Sequence, residues 1–377
     1  VHRFDPVFSA WRTQQLGSRE VVDALVAEPH RGPSPELGRL LADWPGAHYW
    51  SDRPAGRLVL IRPTGRDGRP HWARHTLLFG LTVVFSLAAG AALAGAWYPL
   101  DYPGLLVGLA REVAQFFVGL ARGDWRTFLV GWSFALPLLG ILLVHELGHY
   151  IAARRYAIDT SPPYFIPLPP SISPIGSFGA FIRLRSPVLD RRQLTDVGAA
   201  GPLAGFAVAL AVLIWGYLTS ERIPFEPGFT RSYVVFAGQP LFLGDSLLTN
   251  ALREALLPGE TAVHLSLPAF AGWVGCYLTG LNLLPLSQLD GGHVLYGLLG
   301  RRQGVVALLA IAGLVYLAQS FWIWYVWVAL AFLIGGGRFT HPPVANPGRP
   351  IPLNRVWVCL ACVAVFAATF VPIPFAG

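Results

Sequence analysis

Two histidines and a glutamate stand inside one apolar stretch, LLVHELGHYIAARR, as His145, Glu146 and His149. The four-residue spacing puts both imidazoles on one face of a helix, where they reach a single tetrahedral zinc ion. Glu146 lies one position along, beside the open coordination position, where a carboxylate serves as general base toward a water the metal has acidified. A bare HExxH string is a weak signal, and its setting strengthens it. An ionisable residue at the middle of a membrane helix costs about 2.5–3.5 kcal/mol on insertion scales. Three polar groups where leucine would serve therefore call for more than interhelical packing.

Such a site takes a third protein ligand, and the rest of the apolar chain has few to offer. The segment GLNLLPLSQLDGGHVLYGLLG carries a carboxylate, Asp290, at the edge of an apolar run. Pro285 and the Gly291-Gly292 pair are expected to interrupt the helix there and free backbone groups beside the metal. A plain helix-end cap is the competing role for Asp290. His293, three residues on, shares its helical face and reads as a supporting or core histidine, because a fourth protein ligand would close the site. Asn282 brings an amide suited to substrate backbone or a developing oxyanion, with interhelical hydrogen bonding as the alternative.

The elements that position these groups are membrane elements. The chain has 377 residues, 54% hydrophobic and only 13% charged, and its mean hydropathy of +0.50 exceeds that of soluble enzymes. The net charge of +7 comes from arginines clustered between apolar runs, which read as topology signals rather than a nucleic-acid surface. Cys276, Cys359 and Cys362 lie in apolar stretches without disulfide or zinc-site spacing and are expected to be buried free thiols.

A span needs about 20 apolar residues, and the sequence predicts spans over 76–98, 128–153, 197–218 and 262–286, two short helices over 304–336 turning near Gln319, and a last one over 356–372. Residues 102–122, with Arg111 and Glu112 at their centre, predict an amphipathic surface helix. Residues 161–186 are too rich in Pro and Gly for a helix and too apolar for a free loop, which predicts a re-entrant hairpin.

Residues 1–74 are polar and proline-punctuated, with helical patterns near 21–28 and 35–44 and a strand-like 58–61. The expected fold class is thus mainly α: a polytopic bundle of about seven spans with a re-entrant β-hairpin and a small α+β N-terminal extension. The expected division is 1–74 for the extension, 75–300 for the core and 301–377 for C-terminal membrane helices. No apolar leader precedes the first span, so anchoring by that span is expected. The arginine bias places the N-terminus in the cytoplasm and the C-terminus outside.

Four stretches together, HELGH, PIGSFGAFIRLRSPVLDRR, AAGPLAGF and NLLPLSQLDGGH, resemble the site-2 protease (M50) family of intramembrane zinc metalloproteases over residues 75–300. The resemblance implies that His145, His149 and Asp290 hold zinc, that Glu146 is the general base and that Asn282 lies at the active site. It implies that the hairpin, here Ile175, Gly176, Ser177, Phe178 and Gly179 and on to Ile182, lines the substrate strand. Gly201 and Pro202 would begin a helix packed beside the core. The interval of about 219–261 is too short for the PDZ domain of the sigma-factor branch, so the chain looks similar to the PDZ-less branch of cyanobacteria and chloroplasts.

The implied reaction is hydrolysis of peptide bonds in or near transmembrane segments. The implied partners are transmembrane substrates and the lipid bilayer of a bacterial cytoplasmic membrane, and a homo-oligomer is compatible with them. A metal transporter would place ionisable groups along a route across the membrane, and the spans after Leu295 carry none. A diiron oxygenase would need more histidines at metal spacing than the ten present. An inactive, substrate-binding relative would not require all four catalytic side chains.

Overall fold

A computed structural model describes residues 7–16, 19–51, 56–63, 71–96, parts of 111–130, 131–156, 158–185, 188, 190–224, 232–259, 261–342, 344 and 351–376, apart from 260 and 343. The expected surface helix over 102–122 lies for the most part outside the described residues.

The N-terminal extension is an antiparallel sheet in the order β1-β2-β4-β3, from β1 (Phe8–Leu16), β2 (Arg19–Val26), β3 (Ala47–Ser51) and β4 (Arg57–Pro63), with α1 (Pro35–Ala42) between β2 and β3. Ser34 caps α1 by accepting the Leu37 amide, and Pro35 opens it. The helical pattern near 21–28 is corrected, since those residues are mostly β2. Val22, Ala24 and Val26 are buried in alternation, a period of two that the sheet reads and a helix would not.

Beyond it the molecule is mainly helical. The long helices are α2 (Trp72–Leu93), α3 (Trp132–Arg155) and α4 (Arg191–Leu218), followed by α5 (Leu247–Leu256) and α6 (Leu267–Asn282). After an irregular turn at 283–289 come α7 (Asp290–Leu299), α8 (Gln303–Leu317), α9 (Ile323–Ile334) and α10 (Leu353–Thr369). Among the described residues, four helical runs are long and apolar enough to cross a membrane: Trp72–Leu93, Trp132–Arg155, Arg191–Leu218 and Asp290–Leu317. The last is interrupted at Gly300 (φ +61, ψ −134), and Val294 and Leu295 of α7 and Val306 of α8 line one apolar cavity of about 260 Å³. The two short helices turning near Gln319 are α8 and α9.

Two boundaries differ from expectation. Helix α4 starts at Arg191, because the Asp190 carboxylate caps it through the Gln193 amide, and the polar first turn carries the helix beyond its apolar window. Gly201 and Pro202 therefore sit inside α4 rather than at its start. Residues 262–286 do not form one helix: Thr261–His264 is strand β10, Ser266 caps α6, and α6 ends at Asn282.

The segment expected to form a hairpin pairs β5 (Tyr164–Pro167) with β6 (Ser177–Phe181) and packs on α2, where Phe79 meets Phe165 edge-on. A second sheet, β11-β9-β8-β10-β7, joins β7 (Glu221–Pro224), β8 (Ser232–Phe236), β9 (Gln239–Leu243) and β10 to the C-terminal β11 (Phe375–Ala376). Strands β7 to β10 and the strand that follows α10 thus belong to one sheet.

At the opposite end Arg355 of α10 forks onto Asp196 of α4, with Nε–Oδ1 at 3.0 Å and Nη2–Oδ2 at 2.8 Å, and Tyr156 donates its hydroxyl to the same carboxylate. The pair is largely sheltered, so Asp196→Asn is expected to cost about 1–3 kcal/mol. That cost should show as a lower Tm in detergent, and an unchanged Tm would assign the clamp no energetic role.

Candidate metal centre

Helix α3 carries His145, Glu146 and His149, all buried, against α4. The two helices approach closely because glycines line the seam. A Cβ at Gly148 would fall 2.5 Å from the Ala200 carbonyl oxygen, one at Gly205 2.9 Å from His145 Cβ, and one at Gly201 2.1 Å from His149 Nε2. Gly201 and Gly205 are thus the backbone floor on which the two imidazoles lie. AAGPLAGF reads as a packing motif from sequence, and its specific service to the histidines is legible only in three dimensions.

Asp290 is the first residue of α7, and its carboxylate meets both imidazoles. Its Oδ2 lies 3.2 Å from His145 Nε2 and 3.3 Å from His149 Nε2, and the two imidazole nitrogens are 3.1 Å apart. His145, His149 and Asp290 form the one group of three or more such side chains with metal-ligand geometry among the described residues.

The glycines after Asp290 do not break the helix as expected. They lie in the first turn of α7, where Cβ atoms at Gly291 and Gly292 would sit 1.9 Å from the Leu283 oxygen and 2.2 Å from the Ser287 oxygen. The irregular stretch precedes Asp290, and the glycines let α7 pack onto its carbonyls.

The donor set fits a divalent cation. His149 Nδ1 donates to the Val197 carbonyl at 2.7 Å, which leaves the neutral ring's lone pair on Nε2. That nitrogen faces a carboxylate oxygen and a second imidazole nitrogen, a concentration of ligand atoms that a bound cation would satisfy together. Ligands about 2.0–2.1 Å from a tetrahedral zinc are about 3.3 Å from one another, and the three separations of 3.1–3.3 Å match that edge.

Glu146 stands beside this group. The Ile182 amide, directly after β6, lies against its carboxylate, while Oε2 is buried with no hydrogen-bond partner among the described residues. Asn282, at the end of α6, has its Nδ2 3.5 Å from His145 Nε2. His293 does not join the cluster, because its Nδ1 lies 2.7 Å from His341 Nε2.

In the hairpin, Gly176 (φ +74) abuts the Phe85 backbone of α2, so its close approach is to that helix. The buried Ser177 hydroxyl bonds the Ile166 carbonyl at 3.1 Å and the Gly179 amide at 3.0 Å. Ser86 Oγ reaches the Ile175 carbonyl, Phe178 is exposed and stacks on Trp327, and Gly179 (φ +107) has open space where a Cβ would stand. Strand β6 pairs with β5 along one edge, and no described strand covers the other.

The sequence profile of peptidase family M50 matches residues 133–326, more than half of the chain and the whole of this centre. The chain belongs to peptidase family M50. Among curated proteins it is similar to "Probable zinc metalloprotease EGY2, chloroplastic" of Arabidopsis thaliana, 31% identical over 245 residues, 64% of this chain and 41% of that protein. "Probable zinc metalloprotease EGY1, chloroplastic" of the same plant is 39% identical over 176 residues, 44% of this chain and 30% of that protein. EGY2 of Oryza sativa subsp. indica is 30% identical over 247 residues, 64% of this chain and 42% of the relative. This M50 chain thus spans about two fifths of the length of its EGY2 relatives. No solved structure matches it.

Proposed function

We propose that this chain is a zinc endopeptidase that hydrolyses peptide bonds within or near transmembrane segments of membrane-protein substrates. One observation carries the reading: three possible ligand atoms converge at tetrahedral-edge spacing beside a buried carboxylate oxygen that has no hydrogen-bond partner among the described residues. His145, His149 and Asp290 would hold the metal. When bound there, a divalent cation supplies Lewis acidity to a carbonyl oxygen and acidity to water.

The chain's own residues then have separate tasks. Glu146 Oε2, free of donors among the described residues, accepts the proton of the attacking water and returns it to the leaving amine. Asn282, with its amide beside His145, donates toward the substrate carbonyl or the charge that develops on it. The uncovered edge of β6, at Ser177, Phe178 and Gly179 and with Ile175 and Gly176 leading into it, receives the substrate as an added strand, because a helical peptide bond hides its carbonyl from attack. The nearness of Ile182, directly after β6, to Glu146 supports this placement of the strand beside the base.

The same reading takes the helices as about seven spans and β5–β6 as a hairpin re-entering the membrane of a bacterial cell. The arginine bias supports a cytoplasmic N-terminus and an outer C-terminus. The pairing of β11 with β9 supports the second assignment, since it joins the chain end to the segment read as outside.

Residues 1–74 form a unit that helps select substrates, 75–300 the protease core and 301–377 the C-terminal helices. Removing 1–74 is expected to broaden cleavage across a panel of single-span substrates while zinc content stays the same. Unchanged selectivity would remove that role. The test of the central reading is zinc content together with cleavage of a model single-span substrate, wild type against Glu146→Gln.

A further inference from the structure

Helix α8 opens on Gln303, a polar side chain only 1% exposed at the head of an otherwise apolar helix. Its amide is fully used. Nε2 donates to the Pro285 carbonyl at 2.9 Å, and Oε1 accepts the His341 amide at 3.1 Å. Pro285 lies in the turn joining Asn282 to Asp290, and His341 lies in the loop after α9.

That loop grips the turn at further points. The Ser287 amide donates to the Phe339 carbonyl at 2.8 Å, and Gly335 has no side chain because a Cβ there would stand 2.4 Å from Ser287 Oγ. Ser287 itself has φ +41, a conformation that non-glycine residues hold only when their surroundings enforce it.

The same loop also reaches α7. His341 Nδ1 donates to the Pro342 carbonyl, so its Nε2 accepts from His293 Nδ1 at 2.7 Å, one helical turn past Asp290. Burial pushes His341 down to about 4, which keeps the ring neutral and this polarity fixed near pH 7.

We propose that Gln303 and His341 are positioning residues for the metal-binding carboxylate, a bracket that fixes the 283–289 turn and the first turn of α7 and so sets where Asp290 stands. The proposal rests on the reading of His145, His149 and Asp290 as ligands. His341 lies beyond the 133–326 segment that matches the family. A ligand displaced by a few tenths of an ångström binds poorly, and partners that orient ligands typically govern 10- to 100-fold of metal affinity. Loss of the donor to Pro285, or of the acceptor for His293, releases the turn that Ser287 holds in a strained conformation.

The test measures the affinity for zinc alone, by competition with a chromogenic chelator, in the detergent-purified full chain. Wild type is compared with Gln303→Leu, His341→Ala and His341→Gln, and melting temperature is read alongside. Gln303→Leu and His341→Ala are expected to weaken zinc binding at least tenfold and to lower kcat with little change in KM. His341→Gln, whose amide oxygen still accepts from His293, is expected to restore affinity to within about threefold. Should Gln303→Leu fail to fold, the His341 pair decides the question. Zinc affinity of folded His341→Ala within twofold of wild type would overturn the bracket while leaving the metal centre intact. Wild-type protein that binds no zinc would overturn the metal centre itself, and the bracket with it.

Discussion

Glu146→Gln is expected to keep its zinc and lose cleavage by about 10²- to 10⁴-fold, the span that a positioned general base commonly supplies. Glutamine has nearly the volume of glutamate and keeps an uncharged oxygen beside Ile182, so the helix and the hairpin have no reason to move. The three converging ligand atoms belong to other residues, and metal content should therefore match wild type. A thousandfold loss corresponds to about 4 kcal/mol of barrier. Metal content comes from elemental analysis of purified protein, and cleavage from a single-span substrate reconstituted with it. Equal cleavage by both proteins would exclude Glu146 as the base. Parallel loss of zinc and cleavage would make it a structural support.

Gly201→Ala should abolish high-affinity metal binding without altering a ligand. The added methyl would stand 2.1 Å from His149 Nε2 and 2.4 Å from Cδ2, distances that no packing tolerates. The ring cannot simply swing away, because its Nδ1 is fixed on the Val197 carbonyl and its Nε2 on the shared centre. Either α3 and α4 part, at an overpacking cost of about 1–3 kcal/mol, or the imidazole leaves its position. Both outcomes should weaken zinc binding by at least a hundredfold. Gly140→Ala is the control, on the facing helix α3 that carries His149, with nothing within 4 Å of the new carbon. It is expected to be neutral or slightly stabilising, since alanine is the better helix former. Zinc retention in Gly201→Ala equal to that of Gly140→Ala would show that α3 and α4 stand farther apart than described.

The helices that carry the ligands were legible because their signals are local. Apolar length marks α2 and α3, four-residue spacing pairs His145 with His149, and Pro285 flags the broken segment before Asp290. Legibility failed where partners decide. Arg19–Val26 has apolar residues that suit either a helix or a strand, and the neighbours β1 and β4 select the strand. Thr261–His264 looks like the start of a span until β7 and β8 pair with it. Helix α4 outran its apolar window because a side-chain cap at Asp190, and not hydrophobicity, set its first residue.

Gln303 and His341 gave no usable signal, since a glutamine at a helix start and a histidine in a loop are ordinary until the turn they hold is seen. The sequence by itself determined which chemical groups are available and which helix face presents two of them, for both follow from residue type and a periodicity of a few residues. Only the tertiary structure brings Asp290, more than 140 positions away, against both imidazoles. Convergence to within about 3 Å depends on how closely α3, α4 and α7 approach, and that approach is governed by glycines whose importance lies in what they leave unfilled.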